Sequence, residues 1–334
     1  MLLLLQTCTL LLRIGSRDST DSDRIRFTLR RNLVSIFAKR MALTCVPDGG
    51  HYMPNLAREI VLKNQQGKQE HINFKGFLVG NPYTDAFTNT VAQFNRFWGD
   101  SLIPKPMYDI WKSSCTERRL RNSNNDWCNA LETKFTGIAY DINPYALDFP
   151  VCTGDFSSDA GRAQRSWLLN HIKNFTYDLR VAYQPCEANF LVSYLNRHDV
   201  KAAIRVPQNV VWTECSSSVN YSASDGLTPQ QAIYNELIDG NYGLRILVFS
   251  GDDDSVCATE GTQDWIFSLG YEYHDLWKPW QVNDQTAGFV TTFQGDLTFV
   301  TVHSAGHEVP AYQPYVALEL FRRFIDGSWF GLLE

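Results

Sequence analysis

The sequence predicts an α/β fold with a mostly parallel central sheet, and three observations support this. A β-branched and aliphatic run, Leu244 to Ser250 (LRILVFS), leads directly into the aspartates Asp252 to Asp254. A second such run, Phe299 to Val302 (FVTV), leads through a turn containing Gly306 to His307. Around these runs, apolar residues at helical spacing alternate with short strand patterns. Alternating helices and strands are typical of a parallel sheet that is covered by helices.

Residues 1–46 differ in composition from the rest of the chain, which we assign to one domain over residues 47–334. Residues 1–12 are apolar, and residues 13–40 are basic with scattered aspartates. The apolar run has the length of a signal-peptide core, but it lacks a basic start and a small-residue cleavage site. A secretion signal, a free N-terminal helix and translated sequence foreign to the domain therefore all remain open.

The pattern that follows predicts a helix from Met53, with Leu56, Ile60 and Val61 on one face, ending at Gly67. A buried strand is predicted next, within residues 72–82. Its sequence is INFKGFLVGNP.

Residues from about 86 to 225 are rich in aromatic, Asn, Asp and Cys residues but lack strand alternation. We predict a mainly helical cap, inserted across the carboxyl edge of the sheet, which would shape a substrate pocket. Trp98, Trp111 and Trp127 could line that pocket, although core packing is the favoured role for each. Strand and helix patterns then resume at residues 232–240, 245–250, 261–269, 271–277, 288–293, 297–302 and 316–325.

Composition excludes several classes of function. The chain has 334 residues, 44% hydrophobic, and no apolar run near the ~18 residues that would span a bilayer. A formal net charge of −6 argues against a nucleic-acid partner. Eight cysteines without a C-x-x-C pair or a Cys/His cluster argue against zinc and favour disulfides. The aspartates lack the spacing of a calcium loop, so no metal or cofactor is predicted.

The two strand ends supply a candidate acid and a candidate base. His307 is displayed on a loop after a strand, and Asp254 follows a strand 53 residues earlier, which leaves room for a helix and a hairpin between them. An acid followed by a histidine is the order in which α/β-hydrolases place these triad members. A surface histidine is the alternative for His307. For Asp252 we favour a turn in which its side chain accepts backbone N–H groups.

These stretches, SGDDDSV at 250–256 and SAGHEVP at 304–310, resemble the acid and histidine motifs of the serine carboxypeptidases. The similarity extends through residues 50–54, 74–85 and 185–206 and covers roughly residues 48 to 330. It implies an α/β-hydrolase fold and removal of C-terminal residues from peptides through an acyl-enzyme. In that reaction His307 would move protons and Asp254 would fix its tautomer.

The resemblance also locates the expected nucleophile. The family carries it in G-E-S-Y-A-G-H-Y, and residues 45–52 here are CVPDGGHY, so the serine falls on Pro47 and the acid that grips the substrate's carboxylate falls on Val46. The family's oxyanion-hole loop, G-G-P-G-C-S-S, does not occur, and we expect the sheet to be incomplete at its N-terminal strands. A carboxypeptidase, a related acyltransferase, a non-catalytic peptide-binding protein and a mistranslated N-terminus stay open.

The resemblance further implies disulfides between Cys115 and Cys128 and between Cys152 and Cys186. With the sequons at Asn174 and Asn220, it indicates the secretory pathway, either vacuolar or lysosomal or extracellular. Its implied partners are peptide or protein C-termini, without a cofactor, and it leaves the oligomeric state open.

Overall fold

A five-stranded mixed sheet organises the part of the chain that the structure describes. This computed structural model describes residues 49–67, 71–120, 125–138, 142–152, 185, 187–213 and 222–329. Across the sheet the strands are β1 (Gly76–Gly80), β2 (Arg245–Gly251), β5 (Leu297–Val302), β4 (Gln285–Phe293) and β3 (Tyr273–Val282). β1, β2 and β5 are parallel, whereas β3 and β4 form an antiparallel hairpin beside β5. The predicted α/β fold is confirmed, with an antiparallel edge.

The helices found among the described residues pack on both faces of the sheet, and several of them make up the chain between β1 and β2. In chain order they are α1 (Gly49–Gln66), α2 (Ala86–Gly99), α3 (Lys105–Leu120), α4 (Asp126–Ile138), α5 (Glu187–Leu195), α6 (His198–Ala203), α7 (Ala223–Gly226), α8 (Gln231–Asp239), α9 (Thr259–Phe267), α10 (Val309–Tyr312) and α11 (Pro314–Asp326). The helix predicted from Met53 thus begins four residues earlier, at Gly49. Pro54 lies inside it instead of at its first turn.

Alternate residues of the strands pack on opposite faces of the sheet, as the pleat requires. Ile246 and Val248 of β2 pack with α1, α8 and α9 on one face. Leu247, between them, packs on the other face with α10 and α11. Because β2 is buried on both faces, it has the continuous apolar sequence of a central strand.

The described part of the predicted cap is mainly helical, and α2, α3 and α4 enclose an aromatic core of their own. Trp111 is fully buried there, and its indole N–H donates to Oε1 of Glu132 at 3.0 Å. The prediction of core packing is wrong for Trp98 and Trp127, whose exposed fractions are 41% and 50%. Trp98 stacks instead on the ring of Tyr108 at a centroid distance of 4.8 Å.

The cysteines of this segment agree with the predicted pairing as far as they are described. Cys115 and Cys128 form a disulfide that joins α3 to α4. Cys152 is also disulfide-bonded. Cys186, which we expect as its partner, and the sequons at Asn174 and Asn220 lie outside the described residues.

Candidate active site

The ends of β2 and β5 bring the two sequence-predicted residues together at the carboxyl edge of the sheet. The Nδ1–H of His307 donates to Oδ2 of Asp254 at 2.7 Å. Asp254 is fully buried and His307 is 8% exposed. Gly251 permits this approach, because a Cβ there would lie 2.3 Å from the carbonyl oxygen of Ala305. The carboxyl edge of parallel strands is where α/β proteins build their sites.

Three donors hold the Asp254 carboxylate in place. Besides the imidazole, Nδ2 of Asn81 donates to Oδ2 at 2.9 Å, and the backbone N–H of Val256 donates to Oδ1 at 2.8 Å. Asn81 follows β1 directly and also bonds β2, accepting from the N–H of Gly251 at 2.9 Å. Hydrogen bonds of this kind stabilise the charged form of a buried carboxylate and fix its orientation.

The imidazole of His307 is fixed from the other side by Tyr145. The backbone N–H of His307 donates to the Tyr145 carbonyl at 2.7 Å, and the two rings meet edge to face at 5.3 Å. Burial disfavours the imidazolium, but the charge and hydrogen bond of Asp254 outweigh burial and raise the pKa of His307 above its ordinary value. With Nδ1 occupied by Asp254, Nε2 is the nitrogen that can accept a proton.

The aspartates before Asp254 have separate roles. Oδ1 of Asp252 accepts the backbone N–H of Ser304, in the loop after β5, at 2.8 Å, and Oδ2 pairs with Nδ1 of His303 at 2.8 Å. Asp253 is buried, which raises its pKa to about 7 although Arg96 lies 3.7 Å away. Of the three aspartates, Asp254 is the one whose carboxylate hydrogen-bonds His307.

The position expected for the nucleophile, Pro47, lies outside the described residues. The motif that follows it is described and anchors the start of α1. Nδ1 and Nε2 of His51 lie 2.9 Å from the Tyr83 carbonyl and 3.2 Å from the Thr228 carbonyl. His51 therefore ties α1 to the loops after β1 and before α8.

Comparison with known families now agrees with this geometry. The family model described as serine carboxypeptidase matches residues 48–327. The chain belongs to the serine carboxypeptidase family. The match includes Asp254, His307 and the elements that carry them.

Individual members of the serine carboxypeptidase family resemble the chain over most of its length. Serine carboxypeptidase-like 25 of Arabidopsis thaliana is 34% identical over 293 residues, which are 84% of this chain and 59% of that protein. Serine carboxypeptidase II-1 of Hordeum vulgare is 31% identical over 284 residues, 84% of this chain and 83% of that protein. The chain thus spans about three fifths of the length of several plant relatives.

A solved structure in the same family supports the fold. A prohormone-processing carboxypeptidase from Saccharomyces cerevisiae matches with a TM-score of 0.61 and 18% identity, over 83% of this chain and 59% of that one. The likeness extends to the α/β-hydrolase fold, which is therefore the fold of this serine carboxypeptidase relative.

The sequence analysis gives no site role to two residues that lie beside Asp254 and His307. Asn81 lies at the end of the stretch predicted as a strand, and its side chain hydrogen-bonds the Asp254 carboxylate. The backbone φ of Asn81 is 40°, which is uncommon for a residue other than glycine and which asparagine adopts more readily than most. Cys257, three residues after Asp254, is buried near Asp254 and His307.

Proposed function

We propose that Asp254 and His307 are the acid–base part of a serine carboxypeptidase site, built to remove the C-terminal residue of a peptide or protein. The observation that carries this proposal is the 2.7 Å bond between the two buried side chains at the sheet edge. In this reaction a serine hydroxyl attacks the peptide carbonyl and forms an acyl-enzyme, which water then hydrolyses. His307 accepts the hydroxyl proton and passes it to the leaving amine, while Asp254 stabilises the imidazolium.

Pro47 limits what this chain can do with that pair. Proline has neither a hydroxyl to attack with nor an N–H to donate to an oxyanion. Loss of the nucleophile removes on the order of 10⁶ in turnover from a serine hydrolase. The second candidate function is therefore non-catalytic: we propose that the chain as written binds peptides without cutting them. The proline at position 47 is the observation that favours it.

Two measurements on the purified chain test these proposals. An N-blocked dipeptide with a free carboxylate is expected to bind saturably in equilibrium dialysis but to remain intact. A fluorophosphonate, which needs an activated serine, is expected not to label the chain. Pro47→Ser alone is expected not to restore turnover, because Val46 still replaces the carboxylate-gripping acid.

The outcomes separate the two parts of the proposal. Absence of any dipeptide binding would contradict the carboxypeptidase assignment. Stoichiometric labelling that His307→Ala abolishes would show that another serine attacks. Ser304 is exposed and would be the first candidate, because Ser255 is buried and its hydroxyl donates to the Pro144 carbonyl at 2.6 Å.

We infer that the protein resides in the secretory pathway, in a vacuolar, lysosomal or extracellular compartment. The Cys115–Cys128 disulfide and the bonded Cys152 support this inference, since such bonds persist in oxidising compartments. None of the described helices combines the length and apolar character needed to cross a bilayer. Peptide mapping of the native protein under non-reducing conditions that found these thiols reduced would contradict the inference.

A further inference from the structure

Folding places a thiol beside the acid–base pair. Asp254, Cys257 and His307 each offer one oxygen, sulfur or nitrogen atom, and these three atoms lie within 4.8 Å of one another. All three residues are buried, and Cys257, which carries a thiol, is only 1% exposed. Within the described ranges, this is the one such group of three potential metal ligands.

The donor types select the kind of ion. A thiolate, an imidazole and a carboxylate together are typical ligands of Zn²⁺, with bonds of about 2.3, 2.0–2.1 and 2.0–2.2 Å. Mg²⁺ and Ca²⁺ take oxygen ligands and would leave the sulfur and nitrogen unused. Three protein ligands leave the fourth tetrahedral position open to water or to a ligand group. We propose that Asp254, Cys257 and His307 form a binding site for a zinc-class divalent ion.

Coordination through Nδ1 of His307 would replace its hydrogen bond to Asp254. Bond lengths of this size place the ligand atoms of a tetrahedral ion about 3.3–3.7 Å apart. The 4.8 Å spread therefore has to close by about 1 Å, while Oδ2 of Asp254 and Nδ1 of His307, which lie 2.7 Å apart in their hydrogen bond, have to move apart if both bind the ion.

The surroundings of the carboxylate favour such a site. Val256 and Asn81 already orient the carboxylate, as outer hydrogen bonds do around metal ligands. Binding would release the thiol proton, since the thiolate is the metal-binding form.

Metal binding and proton transfer would compete for the same side chains. An imidazole that coordinates an ion, or that has lost its hydrogen bond to Asp254, cannot serve as the oriented base described above. The site does not depend on the proposed peptidase chemistry, because a metal ion can bind whether or not a nucleophile is present. A measurement of metal affinity therefore tests this site independently of the peptidase chemistry.

Cobalt and zinc titrations of the chelator-treated full chain test the site. Co²⁺ bound to a thiolate gives a near-ultraviolet charge-transfer absorption, and competition with Zn²⁺ yields the zinc affinity. One ion per chain is expected. Cys257→Ala should abolish the absorption and weaken zinc binding about 100-fold or more, since each ligand supplies a large share of the binding free energy. His307→Ala should weaken it to a similar extent.

His303→Ala is the matched control. His303 pairs with Asp252 at 2.8 Å, as His307 does with Asp254, but it is exposed and is not part of the three-ligand group. This variant is expected to leave the absorption and the zinc affinity unchanged. Circular dichroism spectra and urea unfolding curves would verify that each variant is folded.

Two results would overturn the proposal. One is the absence of a thiolate–cobalt absorption in the parent chain. The other is an absorption and an affinity that Cys257→Ala or His307→Ala leaves unchanged, which would assign the ion to other cysteines.

Discussion

Replacing Asn81 by alanine is expected to destabilise the protein by more than a typical surface change. The Asn81 side chain is buried and joins three groups at the carboxyl edge of the sheet. It donates to the Asp254 carboxylate at 2.9 Å and to the Gly251 carbonyl at 3.2 Å, and it accepts from the Gly251 N–H at 2.9 Å. Alanine removes all three hydrogen bonds and leaves their partners buried.

The structure allows the size of the effect to be worked out. A hydrogen bond to a charged group contributes about 1.5–3 kcal/mol, and a buried N–H left without an acceptor costs about 1–3 kcal/mol. At φ 40°, alanine adds roughly 1 kcal/mol of backbone strain that asparagine tolerates better. The free energy of unfolding is therefore expected to fall by about 3–5 kcal/mol, allowing for partial hydration of the site.

Urea unfolding followed by tryptophan fluorescence measures this loss, and Asn81→Gly serves as the control. Glycine removes the same hydrogen bonds but adopts positive φ without strain, so it should be about 1 kcal/mol more stable than the alanine variant. A loss below about 1 kcal/mol for Asn81→Ala, under the same hydrogen-bond energies, would refute the claim that Asn81 holds the acid in place.

Two further predictions concern the disulfide of the cap and the pH dependence of the free energy of unfolding. Replacing both Cys115 and Cys128 by serine removes a crosslink that closes a separation of 13 residues, and should lower the free energy of unfolding by about 3 kcal/mol. An unchanged urea midpoint would contradict this estimate. For Glu260, burial is the main cause of a raised pKa. The folded state therefore holds this proton to higher pH than the unfolded state, and the associated stability is lost as the pH rises through the folded pKa. Glu260→Gln should lose less stability than the parent chain as the pH rises above 4.5, the ordinary pKa of this side chain, and identical pH profiles would argue against this linkage.

Much of the sheet could be predicted from the sequence because its parallel strands β1, β2 and β5 are short, apolar and bounded by turn residues. The 53-residue interval from Asp254 to His307 left room for a helix and a hairpin, and α9 with the β3–β4 hairpin occupy it. The start of α1 was placed too late for a physical reason. Its first turn contains Gly49, Gly50 and His51, which carry no apolar period, and Pro54 is more typical of a first turn than of a helix interior.

The acid and the base were predictable because each follows a strand of its own, and neighbouring parallel strands end at one edge. Which aspartate serves His307 was harder to decide, because Asp252, Asp253 and Asp254 are consecutive. Backbone geometry separates them: the first faces His303, the second is buried near Arg96, and the third meets His307. The resemblance of the motif to a known family selected the third, the one that hydrogen-bonds His307, whereas composition could not distinguish the three.

The contacts of Asn81 and Cys257 with the site could not be predicted from the sequence. Asn81 lies 170 residues before Gly251, and only the pairing of β1 with β2 brings its amide to that backbone and to Asp254. Cys257 lies near Asp254 in the chain, but a metal site also needs His307, which arrives through the pairing of β2 with β5. The sequence rules against zinc because its cysteines and histidines are not clustered along the chain. Strand pairing brings Cys257 and His307 together at the edge of the sheet, although 50 residues separate them in the chain.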